Sequence, residues 1–230
     1  MKYMIATAAI SAAAGTVMSA AQAQDIRIKP VAEARLRYEH ADQEGLAIDK
    51  SDALTIRARA GLAATSGALS ATVIGQGNLA VVDRYYDGLN GAANRPIIAD
   101  PENVALYIAQ LQYKTKLVTL TGGRQRIALD DERFVGNVAF RNNGQTFDAM
   151  RMELTPAQGL KLDLSYAWSV RTIWGFQGKG ARQQAVSGDN IFVNLSYVTP
   201  VGTLSGFAYL VDQDEAAMQA FRLSSQTYGV

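Results

Sequence analysis

From Leu160 to Arg171 the chain alternates without interruption. Leu160, Leu162, Leu164, Tyr166, Trp168 and Val170 fall on one face of an extended segment. Lys161, Asp163, Ser165, Ala167, Ser169 and Arg171 fall on the other. A helix cannot satisfy a period of two. Leu54, Ile56, Ala58, Ala60 and Leu62 repeat the pattern against Thr55, Arg57, Arg59, Gly61 and Ala63. So do Ala32, Ala34, Leu36 and Tyr38 against Glu33, Arg35, Arg37 and Glu39, and Ile191, Val193, Leu195 and Tyr197 give a shorter version. The longest runs exceed an ordinary globular strand and match the roughly 9–11 residues that a tilted strand needs to cross a bilayer.

The alternation predicts ten strands, at 26–39, 53–64, 68–81, 103–114, 117–127, 146–155, 160–171, 190–199, 203–211 and 220–229. Gly and Pro mark short turns at Thr65-Ser66-Gly67, Thr155-Pro156-Ala157-Gln158-Gly159 and Thr199-Pro200-Val201-Gly202, where fixed or positive φ is needed. A further turn, without Gly or Pro, is expected at Lys114-Thr115-Lys116. Long polar stretches lie between, at 83–102, 128–145, 172–189 and 212–219. Short turns at one end and long loops at the other is the asymmetry of an antiparallel transmembrane β-barrel of the outer-membrane kind. Tyr113 and Tyr197 near the short turns, with Tyr38, Trp168 and Tyr107 toward the loops, are expected to form the interfacial girdles.

Met1 to Ala23 reads as a signal peptide: Lys2, then an Ala-rich apolar run, then Ala21-Gln22-Ala23 as a cleavage site. The run is short and no stop-transfer charges follow, which disfavours a transmembrane helix. Residues 24–230 are the predicted barrel domain, expected in the bacterial outer membrane with lipid as its surroundings. Removing the leader leaves 21 basic and 21 acidic side chains, which lacks the electrostatic signature of a nucleic-acid binder. The absence of Cys excludes disulfides, thiolate metal sites and Cys nucleophiles. A secreted β-sandwich also alternates, but strands this long are unusual there. Phe221 to Val230 alternates and stops without a terminal aromatic residue, so either ten strands close into a small barrel or, the favoured expectation, the sequence is an N-terminal fragment of a longer one.

If the apolar face meets lipid, the opposite face lines a lumen. It carries Arg35, Arg37, Arg57, Arg59, Lys161 and Arg171, interspersed with Glu33, Glu39, Glu153 and Asp163. Guanidinium groups stay charged at any relevant pH and fork toward carboxylates. A ladder of them in a confined passage favours anions; equally, the ladder pairs across strands and stabilises the wall. Strand 117–127 breaks the pattern, because Val118 and Leu120 share parity with Arg124 and Arg126. A bulge at Gly122-Gly123 would flip the register and turn both arginines inward. Alternatively they sit at the loop end, beyond the hydrocarbon.

The run Gly123-Arg124-Gln125, Asp130-Asp131, Arg133-Phe134-Val135-Gly136-Asn137, Arg141-Asn142-Asn143 and Gln145-Thr146-Phe147-Asp148-Ala149 resembles the alginate-export family of outer-membrane porins. The resemblance implies an 18-stranded barrel with an electropositive constriction, more strands than are present here. It also implies passage of an anionic polysaccharide in the family's founding members. On that match Arg124, Arg133, Arg141 and Asp148 would belong to the pore or its loop-side mouth, with Arg126 and Arg151 beside them. The function expected is a passive channel for uronate sugars, polysaccharide or small organic acids. The alternative is a surface-binding or structural barrel without transport. No enzyme activity, cofactor or metal site is expected, and the sequence defines no periplasmic export partner. His40, the only histidine, reads as a solvated loop residue without a nucleophile to serve. Asp130-Asp131-Glu132 reads as a solvated acidic run. Gly75-Gln76-Gly77 lies within a predicted strand, not before a helix, and is not a dinucleotide fingerprint.

Overall fold

The computed structural model describes residues 25–214 and 223–230. The leader expected at residues 1–23 and the first residues of the last expected strand lie outside them. Ten strands form one antiparallel sheet in chain order: β1 (Arg27–Asp42), β2 (Lys50–Ser66), β3 (Leu69–Arg84), β4 (Asn103–Lys114), β5 (Val118–Gln125), β6 (Thr146–Ala157), β7 (Leu160–Arg171), β8 (Ala185–Thr199), β9 (Gly202–Gln213) and β10 (Ser225–Gly229). Each strand pairs with its sequence neighbours, and no ladder among the described residues joins β1 to β10. Among the described residues, regular helix is limited to one 3₁₀ turn at Gly175–Gln177. The all-β antiparallel class and the number of strands agree with the alternation. β4 and β7 have the expected limits, while β2, β3 and β8 extend further toward the long loops.

The two faces differ as the alternation requires. Leu36, Ile56, Val73, Leu111, Met150, Ile191 and Leu204 are exposed on the outward face. No protein layer covers them, so the stacked-sheet arrangement of a sandwich is absent from the described residues. Tyr113 and Tyr197 lie on this face near the short turns, and Tyr38 and Trp168 lie toward the long loops. The inward face carries most of the ion pairs and the packed core. Ile127, Leu129 and Val135 pack there against Phe147, Ala149, Ala167, Val170, Phe192 and Tyr209. Tyr85 and Ile98 form a smaller cluster with Ala53. In both clusters, loop residues fold back onto strand residues of the inner surface.

Three register details correct the simple parity. The ladder shifts between Ile74 and Gly75, leaving Tyr107 opposite no partner; Tyr107 and Ile108 are both buried inward. Tyr107 therefore leaves the expected girdle. A second shift, in the β6–β7 ladder, makes Trp168 the extra residue of a bulge, since the adjacent Ala149 and Asp148 pair with Ala167 and Ser169. Beyond it Val170 points inward and Arg171 outward, the reverse of the expected faces. The third concerns β5, whose ladders to β4 and β6 run without a shift. Gly123 takes a positive φ of 111°, yet Gly122-Gly123 does not exchange the faces. Arg124 keeps the outward parity of Leu120, and Arg126 turns inward because the strand has already ended at Gln125.

Adjacent positions on β3 report this sorting. Val73→Arg places a charge on the apolar face and is expected to destabilise the protein in lipid vesicles by about 2–4 kcal/mol. Thr72→Arg, on the polar face, is expected to change it by less than about 1 kcal/mol. Urea unfolding of the vesicle-embedded protein measures both.

Candidate functional site

The inward face of β1 and β2 gathers four of the arginines singled out in the sequence, Arg35, Arg37, Arg57 and Arg59. In the register, Glu33 stands opposite Arg59, Arg35 opposite Arg57, and Arg37 opposite Thr55. Glu33 pairs with both Arg57 and Arg59. Arg59 also donates from Nε to Gln76 Oε1 at 2.7 Å, and its guanidinium lies 3.7 Å from the Tyr107 ring centroid. Arg37 pairs with Glu39 and with Asp100, which arrives from the connection between β3 and β4. Burial pushes the Asp100 carboxyl above its ordinary value, while the Asn142 amide and Arg37 pull it down. Arg141 closes the group by pairing with Glu39 at 3.2 Å.

The segment between β5 and β6 crosses the inner surface. Its first part supplies the apolar plug against β6–β9. Its second part, Ala139 to Asn143, docks on β1–β4. Arg35 donates to the carbonyls of Ala139 and Phe140 at 3.1 Å each, and Arg57 donates to that of Asn142. Asn142 donates from Nδ2 to Thr55 Oγ1 at 2.6 Å, and its backbone N–H reaches the Asp100 carboxylate at 2.8 Å. Asn143 donates to the carbonyl of Pro101 at 2.7 Å and accepts from Gln76 at 3.2 Å. Asn142 and Asn143 are fully buried, which is tolerable only because the strands present polar partners. The Arg-Asn-Asn part of the motif is thus the anchor of an inward-folded loop.

The other candidates lie elsewhere on the wall and its loops. Arg151 pairs with Asp163 at 2.5 Å and Glu153 at 3.4 Å, and Lys161 joins Glu153 at 2.8 Å, at the short-turn end of β6 and β7. Arg133 is exposed in the loop, 5.6 Å from the Phe134 ring centroid. Arg126 and Arg151 border a cavity of about 410 Å³ on the inner face, together with Thr72, Gln110 and Asn137. Arg124 and Asp148 form a bidentate pair of 2.7 and 2.9 Å on the outward parity, at the loop-side end of the wall. Arg124 also donates to the Leu106 carbonyl at 3.1 Å, bridging the part of the β4 edge that β5 is too short to cover. His40 lies within β1 and contacts Asp52 at 2.9 Å.

Pairing alters the picture of a bare cationic ladder. Around β1–β3, the five guanidinium groups of Arg35, Arg37, Arg57, Arg59 and Arg141 meet only the carboxylates of Glu33, Glu39 and Asp100. The excess is modest and positive. Arg126 and Arg133 have no ion pair among the described residues. Asp100 was not selectable from sequence, since an acid in a long loop carries no sign of where the loop folds. Arg35 was visible as part of the ladder but outside the motif.

The family model for alginate export matches residues 28–172. No curated protein matches the sequence. Among solved structures, Pseudomonas aeruginosa OccD3 (OpdP) is similar at 12% identity and a TM-score of 0.49, over 82% of this chain and 40% of that one. A BenF-like porin from Pseudomonas fluorescens Pf-5 gives 12% and 0.47, over 89% of this chain and 62% of that one. Pseudomonas aeruginosa OpdK with vanillate gives 16% and 0.46, with the same coverage. The chain therefore spans 40% to 62% of the length of these proteins.

The buried Arg37–Asp100 pair holds the crossing loop to β1. Asp100→Ala is expected to cost about 3 kcal/mol, the lower end for breaking a buried pair because Glu39 remains. Faster hydrogen exchange across 126–145 than across β7 would accompany that loss.

Proposed function

The chain belongs to the alginate-export family, whose place is the bacterial outer membrane, and we propose that it forms the wall and constriction of a passive channel for anionic solutes. The solute class is a carboxylate-bearing sugar, its polymer, or a small organic acid. In this reading residues 24–230 belong to the barrel and 1–23 are a leader removed at export. No covalent step is needed.

The observation that carries the solute class is Arg126. It is exposed, unpaired among the described residues, and borders the 410 Å³ inner cavity beside hydrogen-bonding groups. Asn137 adds a buried carbonyl oxygen, Oδ1, that has no partner. A guanidinium forks onto a carboxylate, and amide and hydroxyl groups of Asn137, Gln110 and Thr72 suit the hydroxyls of a sugar acid. The neighbouring Arg151 is held by Asp163 and Glu153, so it adds field without an open coordination position. Partial neutralisation keeps binding weak enough for release, which conduction requires.

A second reading rests on the crossing loop. Its docking over β1–β4 and β6–β9 would suit a barrel whose lumen is closed and whose role is surface binding or structural. Single-channel recording of the intact protein under a salt gradient separates the two. The channel reading expects an anion-preferring reversal potential, reduced by Arg126→Glu. A cation-preferring parent contradicts it, and absence of conductance favours the closed barrel.

A further inference from the structure

β5 stops at Gln125, and β4 pairs with it only from Ala109 onward. The stretch Asn103–Ile108 is left as a free edge, so the wall has a notch at its loop-side end. An arch closes the notch above. Arg182 donates to Tyr86 Oη at 2.9 Å and the Gly88 carbonyl at 2.7 Å, and the Phe176 amide reaches Asn103 Oδ1 at 3.0 Å. Beneath the arch is a cavity of about 260 Å³ that passes through the wall, bordered by Val104, Leu106, Arg124 and Arg171 toward the outward side and by Gln76 and Tyr107 toward the inward side.

The bulge at Trp168 turned Arg171 to this outward side. Arg171 is half-buried and makes no ion pair or hydrogen bond among the described residues. The charged groups acting on it are Arg124 and Asp148. Asp148 is already committed to Arg124 through two hydrogen bonds. The local balance is two cations and one anion, with one guanidinium free. Around it the outward surface is apolar, with Val104 and Leu106 exposed on β4 and Trp168 on β7.

A half-buried guanidinium without a counter-charge, at the edge of an apolar surface, is stabilised when an anion from the surroundings reaches it. Long loops of bacterial barrels lie outside the cell, so this end of the wall faces the outer leaflet. We propose that the notch binds the phosphate of an outer-leaflet glycolipid. Arg171 is the principal ligand and Arg124 a second cation held in place by Asp148. The sugar-acyl part of the lipid lies on Val104, Leu106 and Trp168. The guanidinium supplies paired donors matched to phosphate oxygens. The inference rests on the outward face meeting lipid and is independent of what passes through the lumen.

The test is retention of bisphosphorylated lipid A by the intact protein, taken from phosphatidylcholine vesicles containing it and measured by native mass spectrometry. The expected result is retention of lipid A but not of its dephosphorylated form, lowered roughly tenfold by Arg171→Gln, as for loss of a charged hydrogen-bonded contact. Arg171→Lys is expected to recover part of it. Heat-modifiable gel migration equal to that of the parent establishes that each variant is folded. Equal retention by folded Arg171→Gln and parent overturns the proposal. Displacement of the lipid by millimolar inorganic phosphate also overturns it, in favour of a small-anion site. Failure of the parent to float with vesicles would instead contradict the lipid-facing assignment of the outward surface.

Discussion

Hydrocarbon offers a polypeptide no hydrogen-bond partner, and the architecture follows from that one constraint. Every spanning N–H and C=O must pair with a neighbouring strand, so the chain is built from consecutive antiparallel ladders. Side chains then sort by parity alone. Leu36, Ile56, Val73 and Leu111 face out, where a soluble protein would need another layer to cover them. The arginines and carboxylates of the same strands face in. Where the ladder is interrupted, beside the short β5, a side chain takes over the backbone's role: Arg124 donates to the freed Leu106 carbonyl.

The interior is shaped by loops as much as by strands. The segment between β5 and β6 is apolar where it meets Phe147, Phe192 and Tyr209, and polar where it meets Thr55, Gln76 and Asn78. This explains why β6–β9 carry large apolar residues on the face that alternation assigns to the lumen. It also explains the family motif physically. Its Arg141-Asn142-Asn143 residues are the docking groups of an inward loop, and its first arginine, Arg124, ties the wall together. In the channel reading proposed above, selectivity would depend on the few cations left without counter-charges, chiefly Arg126, rather than on the total number of arginines.

Much of the scaffold was legible because it depends on local pattern. Period-two alternation located β4 and β7 to the residue, and the turn residues Gly67, Gly159 and Gly202 marked the short connections. Bulges were not legible, because a register shift is decided jointly with the partner strand. Trp168 continues the alternation in sequence, yet the pairing of Ala149 with Ala167 and Asp148 with Ser169 makes it the extra residue and reverses Val170 and Arg171. Tyr107 left the girdle for the same reason. Charge pairing was half legible: Glu33 opposite Arg59 follows from strand register, but Asp100 comes from a loop whose return path no local signal marks.

Because the chain has no Cys, single cysteines can be introduced and spin-labelled without background. Labels at the outward positions Leu36, Val73, Leu111 and Leu195 and at the inward positions Gln76, Gln110 and Asn194 compare the two faces of the intact protein in vesicles. The outward set should collide freely with oxygen dissolved in lipid and be shielded from a water-soluble nickel relaxer, with the inward set showing the reverse or being shielded from both. Outward labels that are accessible to the nickel reagent, or buried against a second protein layer, would contradict the account.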